Sequence, residues 1–528
     1  ETVIVVIFVF RLLKAIADYD KIEEKLKEMY EGNNNDALER KEFLPEFYQS
    51  VDYINDISNG FERAIQDRIK SERLKTELIT NVSHDIKTPL TSIINYVDLL
   101  KKEDINKYTE SYESKSTNKV MQRVLNKVQL IDLVQDSETK PSYNFSIEIK
   151  THGITDQKIS GRCWIFAGLN ILREKVIEKC KLNNFELSAS YIAFYDKLEK
   201  FNTLLERLIE YKLQNKNLYD RYVSYLLEVG LVSNGYFTQL ANLIEKYGIV
   251  PKTAFEETYA SSNTYEIDLI LSRLLRKFYI ELNSSKENNQ EIKDKYLQMA
   301  YNVIAGVYGI PKEKFNFEYT DKDGKYHIDK DITPKEFYDK YIGIDLEDEY
   351  VEVISYEDEK IKYNNVYKEE ESSKMIGKND YATLNLPSKE FKNLILKSLK
   401  AKEPVYFYCS TTSKRVDGVW IDTLEKYGEL FGIDLKLDNN SILMTNGITN
   451  YHCMIITGVN IIDNKIDKWK IENSWGSKTG NNGYYVATDD FINNYVHRIA
   501  INKKYLSEKQ LQILSKDKIL VSKWDAKM

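Results

Sequence analysis

The chain of 528 residues contains only four cysteines, at positions 163, 180, 409 and 453. So few cysteines in so long a chain exclude a disulfide framework of the kind that holds small secreted domains together. No stretch has the usual pattern of a secretory signal peptide. Together these two features predict a reducing, cytoplasmic location, where a free thiol escapes oxidation.

The chain also lacks an excess of positive charge and a long apolar run. Its 75 Lys and Arg against 82 Asp and Glu give a formal net charge of −7, so no nucleic-acid partner is expected. Residues 2–10 are strongly apolar but fall short of the about 20 residues that span a bilayer. We interpret residues 1–17 as a truncated transmembrane segment, with Arg11 and Lys14 on the cytoplasmic side. The alternative is a short helix packed on the protein body, so membrane contact stays open.

The overall composition is typical of soluble globular domains. Hydrophobic residues make up 42% of the chain and charged residues 30%. Because 528 residues exceed what one hydrophobic core organises, we expect two or more domains.

One cysteine lies where a polar loop meets an apolar helix. Ser160 and Gly161 favour a turn, and the nearly continuous apolar run of residues 164–172 predicts a buried helix that begins at Cys163 and ends near Cys180. A thiol at a helix N-terminus experiences the positive end of the helix dipole, which favours the thiolate. Cys163 is therefore a candidate nucleophile, whereas Cys180 is interpreted as a packing residue.

Two further polar residues complete a chemical pattern downstream. His452 begins one predicted strand, and Asn473 ends the next. Cys, His and Asn in this chain order match the arrangement of papain-like proteases. Gln157, six residues before Cys163, is close enough on a folded-back loop to donate a hydrogen bond to an oxyanion.

Several separated motifs accompany these residues in the same order, at residues 155–158, 160–164, 185–188, 245–252, 457–459 and 472–476. With His452 they resemble the bleomycin hydrolase family of papain-like peptidases, in its bacterial aminopeptidase C branch. The resemblance runs from about Tyr108 to the C-terminus. His452 and Asn473 lie much further from Cys163 than the about 130–150 residues of papain, which agrees with the large insertions that this family has in that interval.

The resemblance implies an α+β, papain-like cysteine peptidase fold with large helical insertions over residues 106–528, preceded by an α-helical N-terminal extension. It also implies amide hydrolysis through an acyl-enzyme on Cys163. His452 would act as base and then acid, Asn473 would orient its ring, and Trp475 would shield that contact from water. The Gln157 amide would stabilise the oxyanion. No metal and no cofactor are expected.

The resemblance further implies which bonds are cut. In this family the C-terminal carboxylate, here that of Met528, lies in the cleft and meets the free amino group of the substrate. The expected substrates are therefore peptides with free N-termini, cleaved by a homohexamer.

Four features depart from the family pattern. Gly235 stands alone where the family has two glycines, and Met444 and Thr445 are separated from His452 by six additional residues. Cys453 replaces a small residue; as the neighbour of His452 on a strand, it is expected to face away from the site. The tail after Trp524 is shortened. Cys409 is interpreted as a core residue.

Residues 80–93 resemble the phosphoacceptor helix of a sensor histidine kinase, within a linker and helix region over residues 18–105. By this resemblance His84 would accept a phosphoryl group, Asp85 would activate it and Thr88 would assist dephosphorylation. No ATP-binding motifs follow, so we expect an inactive fused remnant. A dimerisation or tethering helix pair and a phosphotransfer module served in trans are the alternatives.

Two functions therefore compete. The first is a cytoplasmic cysteine aminopeptidase with an unrelated extension, which we favour because four catalytic roles are filled in order. The second is a signalling or membrane-tethering protein whose peptidase part is vestigial. Nucleic-acid binding is a weaker third idea.

Overall fold

A computed structural model describes residues 2–30, 37–71, 102–134, 141–411, 415–416, 418–447 and 451–524. The chain divides into two compact units, residues 1–127 and 128–528, which we call the N-terminal unit and the main unit. The predicted phosphoacceptor residues His84, Asp85 and Thr88, together with Met528, lie outside the described residues. The sequence-based boundary near residue 105 stays a prediction.

The N-terminal unit is helical where it is described. Its helices are α1 Thr2–Tyr30, α2 Tyr48–Ser71, α3 Lys102–Ser114 and α4 Ser116–Leu125. A small core holds α1 and α2 together through Ile22, Phe43, Val51 and Ile54. None of the helices in the described part of the chain combines the length and the apolarity that crossing a bilayer requires.

The main unit places its helices mainly before its sheet in the chain. In the described residues they are α5 Cys163–Cys180, α6 Ala189–Leu213, α7 Arg221–Val229, α8 Phe237–Tyr247, α9 Tyr265–Ser284, α10 Asn289–Tyr308, α11 Pro334–Tyr341, α12 Leu346–Glu349, α13 Ser388–Lys400, α14 Thr423–Phe431, α15 Asn439–Met444, α16 Asp489–Tyr495 and α17 Glu508–Leu514. Helices α6 to α10 form the predicted helical insertion, which the fold confirms.

The strands are β1 Ile147–Glu148, β2 Phe315–Thr320, β3 Tyr326–Ile332, β4 Tyr350–Ile354, β5 Asn365–Glu369, β6 Ala382–Asn385, β7 Val405–Ser410, β8 Arg415–Val416, β9 Val419–Trp420, β10 Tyr451–Ile462, β11 Lys465–Glu472, β12 Tyr484–Thr488, β13 Val496–Asn502 and β14 Ile519–Val521. Within the described residues the large sheet has the order β14-β5-β6-β4-β13-β7-β10-β11-β12-β9-β8, with β1 added to β10, and β2 pairs with β3 separately.

Helix α5 is buried as the apolar run predicts. Every residue from 164 to 172 is buried, and the one polar side chain among them, Asn170, hydrogen-bonds Thr155. The helix begins at Cys163 and ends at Cys180, as predicted, and Lys181 closes it in the left-handed conformation. An all-round apolar helix is stable only inside a core, so α5 packs with β7 and β10 on one side and α8 on another.

The two faces of the central strands belong to two different cores. Tyr406, Tyr408, Cys453 and Ile455 pack with the helices in one core, which we call the helical core. Phe407, Cys409, Met454 and Ile456 pack with α13 and α16 in the other. Residues 453–456 of β10 therefore alternate between the helical core and the other core, as in a strand buried on both faces. Cys453 is the first residue of β10 that packs on the same side as α5.

A buried ion pair connects α5 to β11. Arg173 on α5 binds Glu472 at 2.7 Å, and both side chains are almost inaccessible. The same guanidinium donates to the carbonyl of Gly153 at 2.6 Å. Burial raises the pKa of Glu472, whereas the charge of Arg173 acts in the opposite direction. The ion pair fixes the position of the end of β11, immediately before Asn473.

We predict that Arg173→Met lowers Tm by roughly 5 °C, because leaving Glu472 buried without its partner costs about 3–5 kcal/mol. Differential scanning calorimetry measures the change. The matched control is Lys181→Ala, which removes an exposed 3.4 Å pair with Asp323 and is expected to cost at most about 1 kcal/mol. Equal Tm values for the two variants would show that the buried pair does not hold α5 to β11.

Candidate active site

Cys163 is the first residue of α5, is half-buried and packs against the helical core. The pKa of its thiol lies well below the usual cysteine value. The largest cause is a hydrogen bond from the Cys453 side chain, and the hydrogen bond and charge of His452 add to it, against the opposing effect of burial. The lowered pKa favours the thiolate of Cys163, which is the nucleophilic form.

His452 is the second residue of β10, and its hydrogen bond and charge are among the causes that lower the pKa of Cys163. Its Nε2 lies 2.9 Å from Asn473 Oδ1, inside the protein. That oxygen also accepts the Ser474 N–H at 2.8 Å, so it meets the ring as an acceptor and Nε2 carries the proton. This tautomer leaves Nδ1 for the contact with Cys163.

Trp475 stacks on the ring of His452. The two rings stack with centroids 4.8 Å apart and planes 22° apart. The guanidinium of Arg415 also lies over the Trp475 indole, 4.5 Å from the ring centroid. The indole keeps water from the side of the imidazole that it covers, and the cation lies above the indole face as cation–π contacts require.

Gln157 is buried and anchored at both ends of its side-chain amide. Its Nε2 donates to the Ser160 carbonyl at 2.8 Å, and its Oε1 accepts from Ser474 Oγ at 2.7 Å. The Gln157 N–H donates to the Ser474 carbonyl at 2.9 Å. The amide nitrogen has two hydrogens, so one remains for an incoming oxygen. The sequence motif contains Ser474 but gives no sign that its hydroxyl orients Gln157.

Gly235 contacts the second residue of α5. A Cβ built on Gly235 would lie 2.6 Å from the Trp164 indole, which itself donates to the Ser233 carbonyl at 2.7 Å. Glycine is therefore required for the backbone to approach the indole this closely. One glycine suffices at this point of contact, where the family pattern has two.

The six additional residues before His452 do not displace it. Helix α15 ends at Met444, Asn446 and Gly447 follow, residues 448–450 lie outside the described part, and β10 begins at Tyr451. Pairing of His452 with Cys409 of β7, and of Ile455 with Glu472 of β11, fixes the register of β10 on both sides.

The expectation that Cys453 faces away from the site is wrong. Cys453 packs in the helical core, against which Cys163 also packs, and its side chain is the largest cause of the lowered pKa of Cys163. Side chains alternate at the start of β10, but Cys163 lies at the end of helix α5, where both His452 and Cys453 influence its pKa although they are neighbours on the strand. Cys409 is buried in the core as interpreted, and Cys180 is buried at the opposite end of α5. All four cysteines are free thiols.

A helical lobe packed on a large antiparallel-rich sheet, with Cys, His and Asn meeting where they adjoin, defines a papain-like cysteine peptidase. The model of the peptidase C1-like family matches residues 99–528. Aminopeptidase C of Lactobacillus delbrueckii subsp. lactis is 40% identical over 373 residues, which cover 69% of this chain and 82% of that protein. Aminopeptidase C of Streptococcus thermophilus is 35% identical, over 74% of this chain and 89% of that protein.

The solved structure of PepW from Lactobacillus rhamnosis HN001 (DR20) superposes with a TM-score of 0.76 at 33% identity, over 81% of this chain and 98% of that one. The chain thus belongs to the peptidase C1-like family, among the aminopeptidase C proteins. It is a cysteine aminopeptidase with the expected α+β fold, and the alternative of a signalling or tethering fusion finds no support in these similarities.

We predict that iodoacetamide alkylates the native protein once, at Cys163, at about pH 6, because its lowered pKa keeps it ionised where an ordinary thiol is protonated. Burial raises the pKa of the other three cysteines. Peptide mapping of the alkylated protein across the acidic to alkaline range measures this.

The matched variant for this measurement is Cys453→Ala. It removes the largest favourable contact of the thiolate, so the pH of half-maximal alkylation should move upward. A wild-type alkylation rate that still climbs tenfold per pH unit between about pH 7 and pH 8 would contradict the lowered pKa, since that slope belongs to an unperturbed thiol.

Proposed function

We propose that this cysteine aminopeptidase removes N-terminal residues from peptides through an acyl-enzyme on Cys163. The observation that carries the proposal is the pairing of His452 Nε2 with Asn473 Oδ1 at 2.9 Å, together with a Cys163 whose pKa is lowered by Cys453 and by His452. The thiolate attacks the carbonyl carbon of the peptide bond. His452 protonates the departing amine, then takes a proton from the water that releases the acyl group.

The oxyanion of each tetrahedral intermediate is stabilised by two donors. One is the remaining hydrogen of the Gln157 amide, whose orientation is supported by its contacts with Ser160 and Ser474. The other is the Cys163 N–H, which has no acceptor within α5 because it belongs to the first turn. Donors that are in place before charge develops stabilise the transition state without reorganisation.

The segment after Trp524 confers selectivity for N-termini in this proposal. Trp524 packs edge-on against Tyr222 and Tyr225 of α7, with the guanidinium of Arg221 4.0 Å from its ring. The loop after α7 carries Gly235, which lies against the helix that begins at Cys163. A chain that leaves Trp524 toward this loop would occupy the cleft, and the carboxylate expected at Met528 would pair with the substrate amino group.

Three further features belong to the proposal. We infer a homohexamer from the family resemblance, a cytoplasmic location from the scarcity of cysteine, and an inactive segment ahead of the peptidase from the separate resemblance to a histidine kinase. The four free thiols support a reducing compartment.

We predict that Cys163→Ala abolishes peptide hydrolysis, because no nucleophile remains, while Gln157→Ala lowers kcat by about 10²–10³-fold through loss of one oxyanion donor. Steady-state kinetics with aminoacyl-p-nitroanilides measure both. The control is Cys180→Ala, at the far end of α5, which should retain the wild-type rate. Circular dichroism establishes that each variant is folded; undiminished hydrolysis by folded Cys163→Ala would overturn the mechanism.

We predict that peptides with a free N-terminus are cleaved at least about tenfold faster than their N-acetylated forms, because a lost charge pair in the cleft costs about 1.4 kcal/mol or more. Mass spectrometry of timed digests measures the ratio. A variant truncated after Trp524 should bring the two rates together. If the intact chain cleaves both peptides equally well, the selectivity proposed for the C-terminal segment is wrong, whereas the role of Cys163 stands.

A further inference from the structure

Arg415 is a cation that is surrounded by aromatic rings near the active site. Its guanidinium carbon lies 4.5 Å from the centroid of the Trp475 ring, 5.0 Å from that of Tyr485 and 5.6 Å from that of Trp420. The residue is half-buried. Within the ranges that the structure describes, the guanidinium forms no ion pair and no hydrogen bond. None of the catalytic roles assigned to Cys163, His452, Asn473 and Gln157 uses this cation.

The aromatic surroundings of the guanidinium leave its hydrogen-bond donors available. A cation–π contact is an attraction between the charge and the ring, and it needs no acceptor atom. The five N–H groups of Arg415 can therefore still donate, in the fork that matches the two oxygens of a carboxylate. Three rings around the group also restrict its movement, so less entropy is lost when a ligand binds.

The guanidinium lies within reach of the residue that follows the cleaved bond. Trp475 stacks on His452 with ring centroids 4.8 Å apart, and Arg415 lies over the same indole. Since both contacts are shorter than 5 Å, the guanidinium is within about 10 Å of the imidazole. His452 must hydrogen-bond the scissile nitrogen to protonate it. One residue of about 3.5 Å, with a hydrogen bond of about 3 Å at each end, bridges that span.

The order of strands places Arg415 on the side of the departing part of the substrate. In the described part of the large sheet, β10 lies between β5 on one side and β8 on the other. Glu369 of β5 and Gly235 line the same cavity, on the side where the proposed function puts the substrate amino group. Arg415 belongs to β8, at the opposite edge of the sheet. A substrate that crosses His452 from the Gly235 side therefore continues toward Arg415.

We propose that Arg415 determines specificity for the second residue of the substrate by binding a carboxylate that this residue carries. In a dipeptide the ligand is the C-terminal carboxylate, and in a longer peptide it is the side chain of Asp or Glu. The inference rests on the proposed function, in which Cys163 and His452 cleave the bond before this residue. It narrows the substrate class from peptides with free N-termini to those with a carboxylate on the second residue.

A cation at this place changes which substrates bind favourably. The chain has a formal net charge of −7, so its overall field repels an anionic substrate. Arg415 offsets this repulsion locally, and half-burial strengthens its attraction for a carboxylate because less water screens the two charges. A peptide with a neutral second residue receives no such stabilisation. Selection of the second residue is therefore separate from selection of a free N-terminus.

The test compares two pairs of peptides with free N-termini that differ by one carboxylate: alanyl-alanine with its amide, and alanyl-aspartic acid amide with alanyl-asparagine amide. With the full chain, kcat/KM should be about tenfold higher for the charged member of at least one pair, since a hydrogen bond between charged groups contributes at least that factor. The pair that shows the effect identifies the source of the carboxylate. Arg415→Met keeps an apolar side chain against the rings, and its ratio should fall to about one.

The matched control is Lys426→Met, which removes the same charge from an exposed side chain that pairs with Glu429 at 2.8 Å; its ratio should equal that of the wild type. Wild-type ratios near one for both pairs overturn the proposal even if Arg415→Met does not fold. An Arg415→Met protein that slows charged and neutral peptides alike also overturns it, because Arg415 then only positions Trp475. Failure of the proposed function shows itself differently, as hydrolysis of the neutral amides that survives Cys163→Ala.

Discussion

The N-terminus of helix α5 has to lie next to the beginning of strand β10. The packing of the main unit holds the two elements in this position. The helix is fixed along its length by apolar burial and at its middle by Arg173, which binds Glu472 just before Asn473. The strand is fixed by pairing with β7 on one side and β11 on the other. The contacts that hold these two elements in place lie outside the site. The residues at their ends therefore need only short contacts to stay aligned.

Much of this arrangement could be predicted from the sequence, and for local reasons. A buried helix from Cys163 to Cys180 follows from an uninterrupted apolar run, and its bounds agree with the structure. The positions of His452 and Asn473 on neighbouring strands follow from motifs whose order survives the six extra residues. Insertion in a loop changes little when the strand after it is paired along both edges, and β10 is such a strand.

What could not be predicted depends on contacts between distant parts of the chain. Strand alternation placed Cys453 on the correct face of β10, yet its interpretation as remote was wrong, because the rule says nothing about how a helix end packs near the strand. The anchoring of Gln157 by Ser474 joins residues more than three hundred positions apart. The closeness of Gly235 to Trp164 likewise depends on how the loop before α8 packs on α5.

The same contacts that make Cys163 a good nucleophile also expose it to oxidation, because thiolate character governs both reactions. A small residue at position 453 would leave the thiolate with His452 as its main partner. The cysteine at this position instead gives the largest contribution to the lowered pKa of Cys163.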